Sequence, residues 1–366
     1  AIGFTSIDGD DDGNGTLQSN NTSISTFTGA IGVIKQIGLL DLDTSTTFVG
    51  IVDSAAVTVA ASATATFDDD FTGTATTITG SGIMAFIVDG DGAAATTVTG
   101  NINGAADDGG TIQVTNTNVT TFAGDIGADA NLLLLNLDRS ATFNGVVNAK
   151  GLDLVQSMVT TVKKDVTIGA TKATLNGNAA EITFTGTVAQ TFTGEIIGAG
   201  AEEGIIDNAN TSATVTFATN VGETELKEVE LDASTTTVFN GTVKTALADF
   251  DGHVTLAVNG NVVDDLTTVA GTTIKLEEGI ISGETVFTGS EALGADAIHA
   301  SSSIIMPVNL RGAESVLFIV AGEDAAMAAL TADVNAALVN DALRTYTATA
   351  TDDDVTITSS VNSEST

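Results

Sequence analysis

Residues 27–52 read FTGAIGVIKQIGLLDLDTSTTFVGIV, and residues 122–147 read FAGDIGADANLLLLNLDRSATFNGVV. The two align without a gap, 13 of 26 positions are identical, and the offset is 122 − 27 = 95. A third copy starts another 95 residues on, at Phe217, as TFATNVG followed by LDASTTTVFNGTV. This copy has Thr219 where the others have glycine, and extra residues before Phe239. Three copies in one register make internal repetition the feature that decides the fold.

A shorter rhythm runs inside the long one. Phe-x-Gly recurs at Phe27, Phe48, Phe71, Phe122, Phe143, Phe184, Phe192, Phe239 and Phe287, with local intervals such as 48 − 27 = 21 and 71 − 48 = 23. A period in the low twenties is one turn of a β-solenoid. Asn-Gly at Asn14, Asn103, Asn144, Asn176, Asn240 and Asn259, and Asp-Gly at Asp8, Asp12, Asp89, Asp91, Asp108 and Asp251, supply tight corners. Segments such as Ile182–Phe184 and Val215–Phe217 alternate apolar residues with threonine, as half-buried strands do. A β-sandwich array would use the same turns, but it lacks so short a period held over the chain. The expected fold is therefore all-β, a repetitive β-solenoid over 1–291. The 95-residue unit is taken as about four turns, which stacks Phe27, Phe122 and Phe217 in one column.

The pattern changes near Ala292, and residues 292–366 are expected to form a helix-containing capping or assembly segment with α/β character. Met327, Leu330, Val334 and Leu338 follow helical spacing between Glu323 and Arg344, with Asp324 as N-cap. Two strands, Thr345–Ala350 and Val355–Ser360, are expected after it.

The charge balance bounds the partners. With 11 Lys and Arg against 47 Asp and Glu, the 366-residue chain carries −36. Such a polyanion repels phosphate backbones and anionic lipid, so nucleic-acid binding is excluded and membrane binding disfavoured. No apolar run is long enough to span a bilayer as a helix. Cysteine is absent, which removes disulfides and thiol chemistry. Ala1 runs straight into strand-like sequence, as expected of a processed or excised piece.

Candidate sites are acidic turns. Asp8-Gly9-Asp10-Asp11-Asp12-Gly13-Asn14-Gly15 resembles the opening of a calcium loop in two registers, with either Asp10, Asp12 and Asn14 or Asp8, Asp10 and Asp12 as alternating oxygen ligands. The twelfth position is Asn21 or Ser19 instead of glutamate, so a true EF-hand is not expected. Asp68–Asp70, Asp89 with Asp91, Asp107–Asp108 and Asp352–Asp354 are further candidates, and solvated turns are the plain alternative for all of them. At the 95-residue offset Lys163 and Lys164 fall opposite Asp68 and Asp69, a reversed charge on what should be the same face.

Catalysis is not expected. His253 and His299 have no ligand motif nearby, there is no Gly-x-Ser-x-Gly elbow, and Arg139, Arg311 and Arg344 are the only arginines. A β-helix polysaccharide-degrading enzyme is the remote alternative. Ice binding needs threonines held in a column, which the sequence does not suggest.

The TFxG–IG–L–LDxSxTFNGxV rhythm over 21–243, with the tail ALTADVNAALVNDALRTYTATATDDDVTITS, resembles repetitive bacterial cell-surface proteins. These are S-layer-family repeat proteins, haemagglutinin-like adhesins and autotransporter passengers of the rickettsial outer-membrane-protein type. The resemblance implies an extracellular structural protein that self-associates into a coat or filament, with Ca²⁺ as a candidate counter-ion. The alternative it implies is a passenger adhesin that binds glycans or neighbouring cells.

Overall fold

The computed structural model describes residues 5–87, 95–155, 158–232 and 234–250, and beyond these the backbone of strands between 253 and 361. It is a parallel β-solenoid of about 11 turns. Each turn visits three faces, and each face is a parallel sheet whose strands pair with the coils before and after.

Inward-facing residues trace the faces. The first face stacks Phe27, Phe48, Phe67, Phe86, Val114, Leu137, Leu154 and Leu175. The second stacks Ile31, Val52, Phe71, Val98, Phe122, Phe143, Val162, Phe184, Asn208 and Leu231. The third stacks Leu42, Val59, Ile78 and Gly104 in one inward column, and Leu40, Val57, Thr76, Ile102, Ile126, Val147, Val166, Phe192, Phe217 and Phe239 in the column beside it. The apolar residues of these stacks belong to one continuous core, and Asn208 is buried among them.

Strand spacing explains the phenylalanine. Neighbouring strands lie about 4.8 Å apart, close to the separation at which offset aromatic rings stack favourably. Phe27–Phe48 and Phe48–Phe67 stack at 5.4 and 5.3 Å with 10° and 12° between planes. Phe122–Phe143 and Phe217–Phe239 repeat this at 4.9 and 5.0 Å.

The long repeat is not a whole number of turns. From Phe27 the chain passes Ile31, Leu42, Phe48, Val52, Val59, Phe67, Phe71, Ile78, Phe86, Val98, Ile102 and Val114 before reaching Phe122. That is thirteen strand steps on a three-sided path, or four turns and a third. Thirteen more steps lead from Phe122 to Phe217. Phe27, Phe122 and Phe217 therefore sit on the first, second and third faces, and the expected single column is corrected. The strands confirm the rotation. Val52–Val59 bends from the second face into the third, Val147–Leu154 from the third into the first, and Val243–Phe250 from the first into the second.

The repeat holds because one corner tolerates only glycine. Gly32, Gly127 and Gly222 stand 95 residues apart, with φ of 71°, 67° and 81°. A Cβ on any of them would collide with a backbone carbonyl of the next coil, at Asp53, Asn148 and Lys244 respectively.

Parallel coil pairing continues past residue 291, through Ser303–Ile305 and Val316–Val320. Arg344–Ala350 and Asp354–Val361 pair antiparallel, matching the two strands expected of the tail. The helix expected between Glu323 and Arg344 lies outside the described residues, apart from Arg344 itself, which opens a strand.

Gly127→Ala should cost about 2–4 kcal/mol, combining the positive-φ penalty with separation of two coils. Gly13→Ala, at φ 76° with nothing within 4 Å of the added carbon, should cost only about 1–2 kcal/mol. Equal costs in denaturant unfolding would contradict the close coil approach.

Candidate functional site

The acidic N-terminal turn is used for coil-to-coil contacts. Asp8 Oδ1 accepts the Ile34 backbone N–H at 2.9 Å, and its Oδ2 accepts the Ser6 hydroxyl at 2.8 Å. The bond from Ile34, and then that from Ser6, holds the Asp8 carboxyl below the usual aspartate range. Asp12 Oδ1 accepts the Gln36 N–H at 3.3 Å, and Asp11 pairs with Lys35 at 3.3 Å. The Asp10 backbone carbonyl accepts the Lys35 ammonium, and Asn14 opens the strand Asn14–Ser19. Among the described residues, no three His, Cys, Asp or Glu side chains gather into a group that could hold a metal ion.

The same device recurs along the rod. Asp70 accepts Thr97 N–H at 2.6 Å, and its repeat counterpart Asp165 accepts Thr191 N–H at 2.8 Å. Asp125 accepts Val146 N–H at 2.9 Å, and its counterpart Asn220 accepts Thr242 N–H at 3.0 Å. Asp107 accepts Asn131 N–H at 3.2 Å, while Asp108 pairs with Lys150 at 2.9 Å. Corners expose backbone donors that no strand partner satisfies, and an Asx oxygen from the preceding coil supplies the acceptor. Several turns singled out as ion sites thus serve as staples. Asp89, Asp91, Asp352 and Asp353 lie outside the described residues.

The reversed-charge pairing is also corrected. Asp68 follows the first-face strand Thr64–Phe67, whereas Lys163 follows the second-face strand Val159–Val162. The extra third of a turn puts them at different corners.

The outward ranks hold what the sequence reading missed. On the second face Thr97, Thr121, Thr142, Thr161 and Thr183 stand in one column on successive coils, which overturns the reading that threonines are not aligned. Thr26, Thr47 and Thr66 form the equivalent ladder on the first face, and Thr191 and Thr216 on the third, followed by Val238. The strands carrying these ladders at Thr26–Thr66, Thr121–Thr161 and Thr191–Val238 contain no Asp, Glu, Lys or Arg. Exposed apolar side chains border them: Ile24 (71%) on the first face, Val119 (42%) on the second and Val188 (47%) on the third. The neighbouring outward rank on the second face reads Val159, Glu181, Ile205 and Glu228. A paired threonine rank of the ice-binding kind is therefore not present there. The signal was available in the sequence, since the dipeptide Thr-Phe, as at Thr26, Thr47, Thr121 and Thr216, puts threonine on the face opposite a buried ring, but the face rotation hid it.

No protein-family model, curated protein or solved structure matches the chain.

Asp125→Asn should leave stability within about 0.5 kcal/mol, because Asn220 does the same work one repeat on. Asp125→Ala should cost about 1–2 kcal/mol by leaving Val146 N–H without its acceptor. A large cost for the asparagine variant in chemical denaturation would show that charge, not hydrogen bonding, holds the corner.

Proposed function

We propose that this chain is a non-catalytic structural segment of an exported bacterial cell-surface protein, a stiff three-sided rod that associates side by side into a coat or filament. The observation that carries the reading is the recurrence of one uncharged threonine ladder on three faces of a chain at −36. Charge elsewhere keeps the rod soluble and repels strangers. The ladders are where two such rods can approach without confronting carboxylates. Their rotation gives each rod neighbours in three directions, as a layer requires, whereas a single sticky face would stop at a dimer.

Each ladder is narrow, so contacts add up by multivalency along aligned rods. Counter-ions assist by screening the remaining repulsion, over a Debye length of about 8 Å at physiological ionic strength. Divalent cations, Ca²⁺ included, enter the proposal in this diffuse role. The adhesin reading has less support, because the phenylalanines of the described coils point inward and leave no aromatic platform for a sugar.

The test is sedimentation and electron microscopy of the native chain and of a Thr47→Glu, Thr142→Glu, Thr216→Glu variant. The native rod should assemble laterally at physiological salt and more strongly at higher salt. Each carboxylate buried unpaired in a contact should weaken association by about 2 kcal/mol or more, on the order of thirtyfold, with the fold unchanged by circular dichroism. A native chain that stays monomeric at all concentrations and binds glycans would favour the adhesin. Assembly undiminished in the variant would remove the ladders from the account.

A further inference from the structure

The second-face ladder changes character in its later coils. After Thr183 the same outward column continues as Asp207, Glu230 and Asp249. In-register stacking sets each carboxylate one strand spacing, about 4.8 Å, from the next. More acids surround them: Glu181 on the strand before Asp207, Glu228 on the strand after it, and Asp232 at that strand's exit. Among the described residues, Lys227 stands beside them, 3.6 Å from Glu228. Glu181 accepts the Thr183 hydroxyl at 2.5 Å, whereas buried Asp207 Oδ1 has no hydrogen-bond partner.

We propose that this carboxylate ladder makes the later coils pH-responsive, with neighbouring coils loosened when Asp207 and Glu230 are ionised and closed when they are protonated. Two like charges one strand apart on a half-buried face repel with little water between them. Protonation replaces that repulsion with a carboxylic acid that can donate to the next carboxylate, and gives unpartnered Asp207 a bond to make. Protonation of Asp207 and Glu230 also extends the uncharged threonine column of the second face by two coils.

The electrostatics agree in direction. Burial, and then the charges of Asp232, Glu181 and Glu230, push the Asp207 carboxyl up to about 7. Burial first, then Glu228, Asp232, Asp249 and Glu181, raise Glu230 as well. An acid raised in the stacked state keeps its proton longer when the coils are closed than when they are open. Below the ordinary aspartate value both states are protonated, and nothing favours opening. As pH rises the open state ionises first and opening gains, until the stacked group ionises near 7 and the effect levels off. The window is therefore pH 4 to 7, with the closed form favoured at the acid end.

The experiment is hydrogen exchange, read by mass spectrometry on the full chain at pH 5 and pH 8 and corrected for intrinsic exchange. In the native protein, opening of residues 205–208 and 228–231 should rise on the order of tenfold from pH 5 to pH 8, a figure discounted for partial exposure of the ladder. Asp207→Asn should remove most of that rise, Glu230→Gln part of it, and the exposed first-coil variant Asp10→Asn none. No rise in the native protein, or a full rise surviving in both Asp207→Asn and Glu230→Gln, would overturn the proposal.

Discussion

Everything in this molecule follows from parallel, in-register stacking of coils at one strand spacing. Each side chain has a counterpart directly above and below, so a residue is judged by how well it tolerates a near copy of itself about 4.8 Å away. Phenylalanine stacks on itself with a gain, which is why rings line the core in ladders. Threonine is neutral toward itself and fits the outer rank. Carboxylates are the poor neighbours, and several of the described ones stand at corners, where they take up backbone N–H groups of the next coil. Where a carboxylate does enter the outward column, at Asp207, the result is a group held near neutrality by its surroundings.

The second constraint is geometric. A repeat of thirteen strands on a three-sided path cannot return to its starting face, so sequence-equivalent residues are distributed around the rod in steps of a third of a turn. One duplicated unit therefore presents the same surface in three directions, which is what the proposed coat would use. Gly32, Gly127 and Gly222 show that the duplication is structural as well as textual. Each sits at the same kind of corner, on a different edge of the prism, with the same forbidden contact.

Much of this was legible in the residues. Alternation around Val215–Phe217, the Asn-Gly corners and the Phe-x-Gly spacing identify a β-solenoid, and the 95-residue offset identifies the duplicated unit. The face rotation was not legible, because turn length varies: 19 residues separate Phe48 from Phe67, whereas 28 separate Phe86 from Val114. Division of 95 by a mean turn cannot distinguish four turns from four and a third when loops absorb such differences. The acidic turns were open to two readings for another reason. Spacing such as that of Asp8, Asp10 and Asp12 serves a cation or a row of backbone donors equally well, and only the structure shows that Asp8 and Asp12 take up the N–H groups of Ile34 and Gln36 in the next coil.

The rotation of equivalent residues is the central claim, and the absence of cysteine makes it directly measurable by spin-label distance. Thr47 and Asn136 share the outward column of the first face, four coil steps apart through Thr66, Ala85 and Gln113. Thr142, the sequence equivalent of Thr47, lies on the second face. Pulsed dipolar spectroscopy on cysteine-labelled pairs should give about 19 Å along the axis for Thr47 with Asn136, and a longer distance for Thr47 with Thr142, which must also cross a corner. If the Thr47–Thr142 pair is instead the shorter, the repeat spans whole turns and the three-face arrangement is wrong.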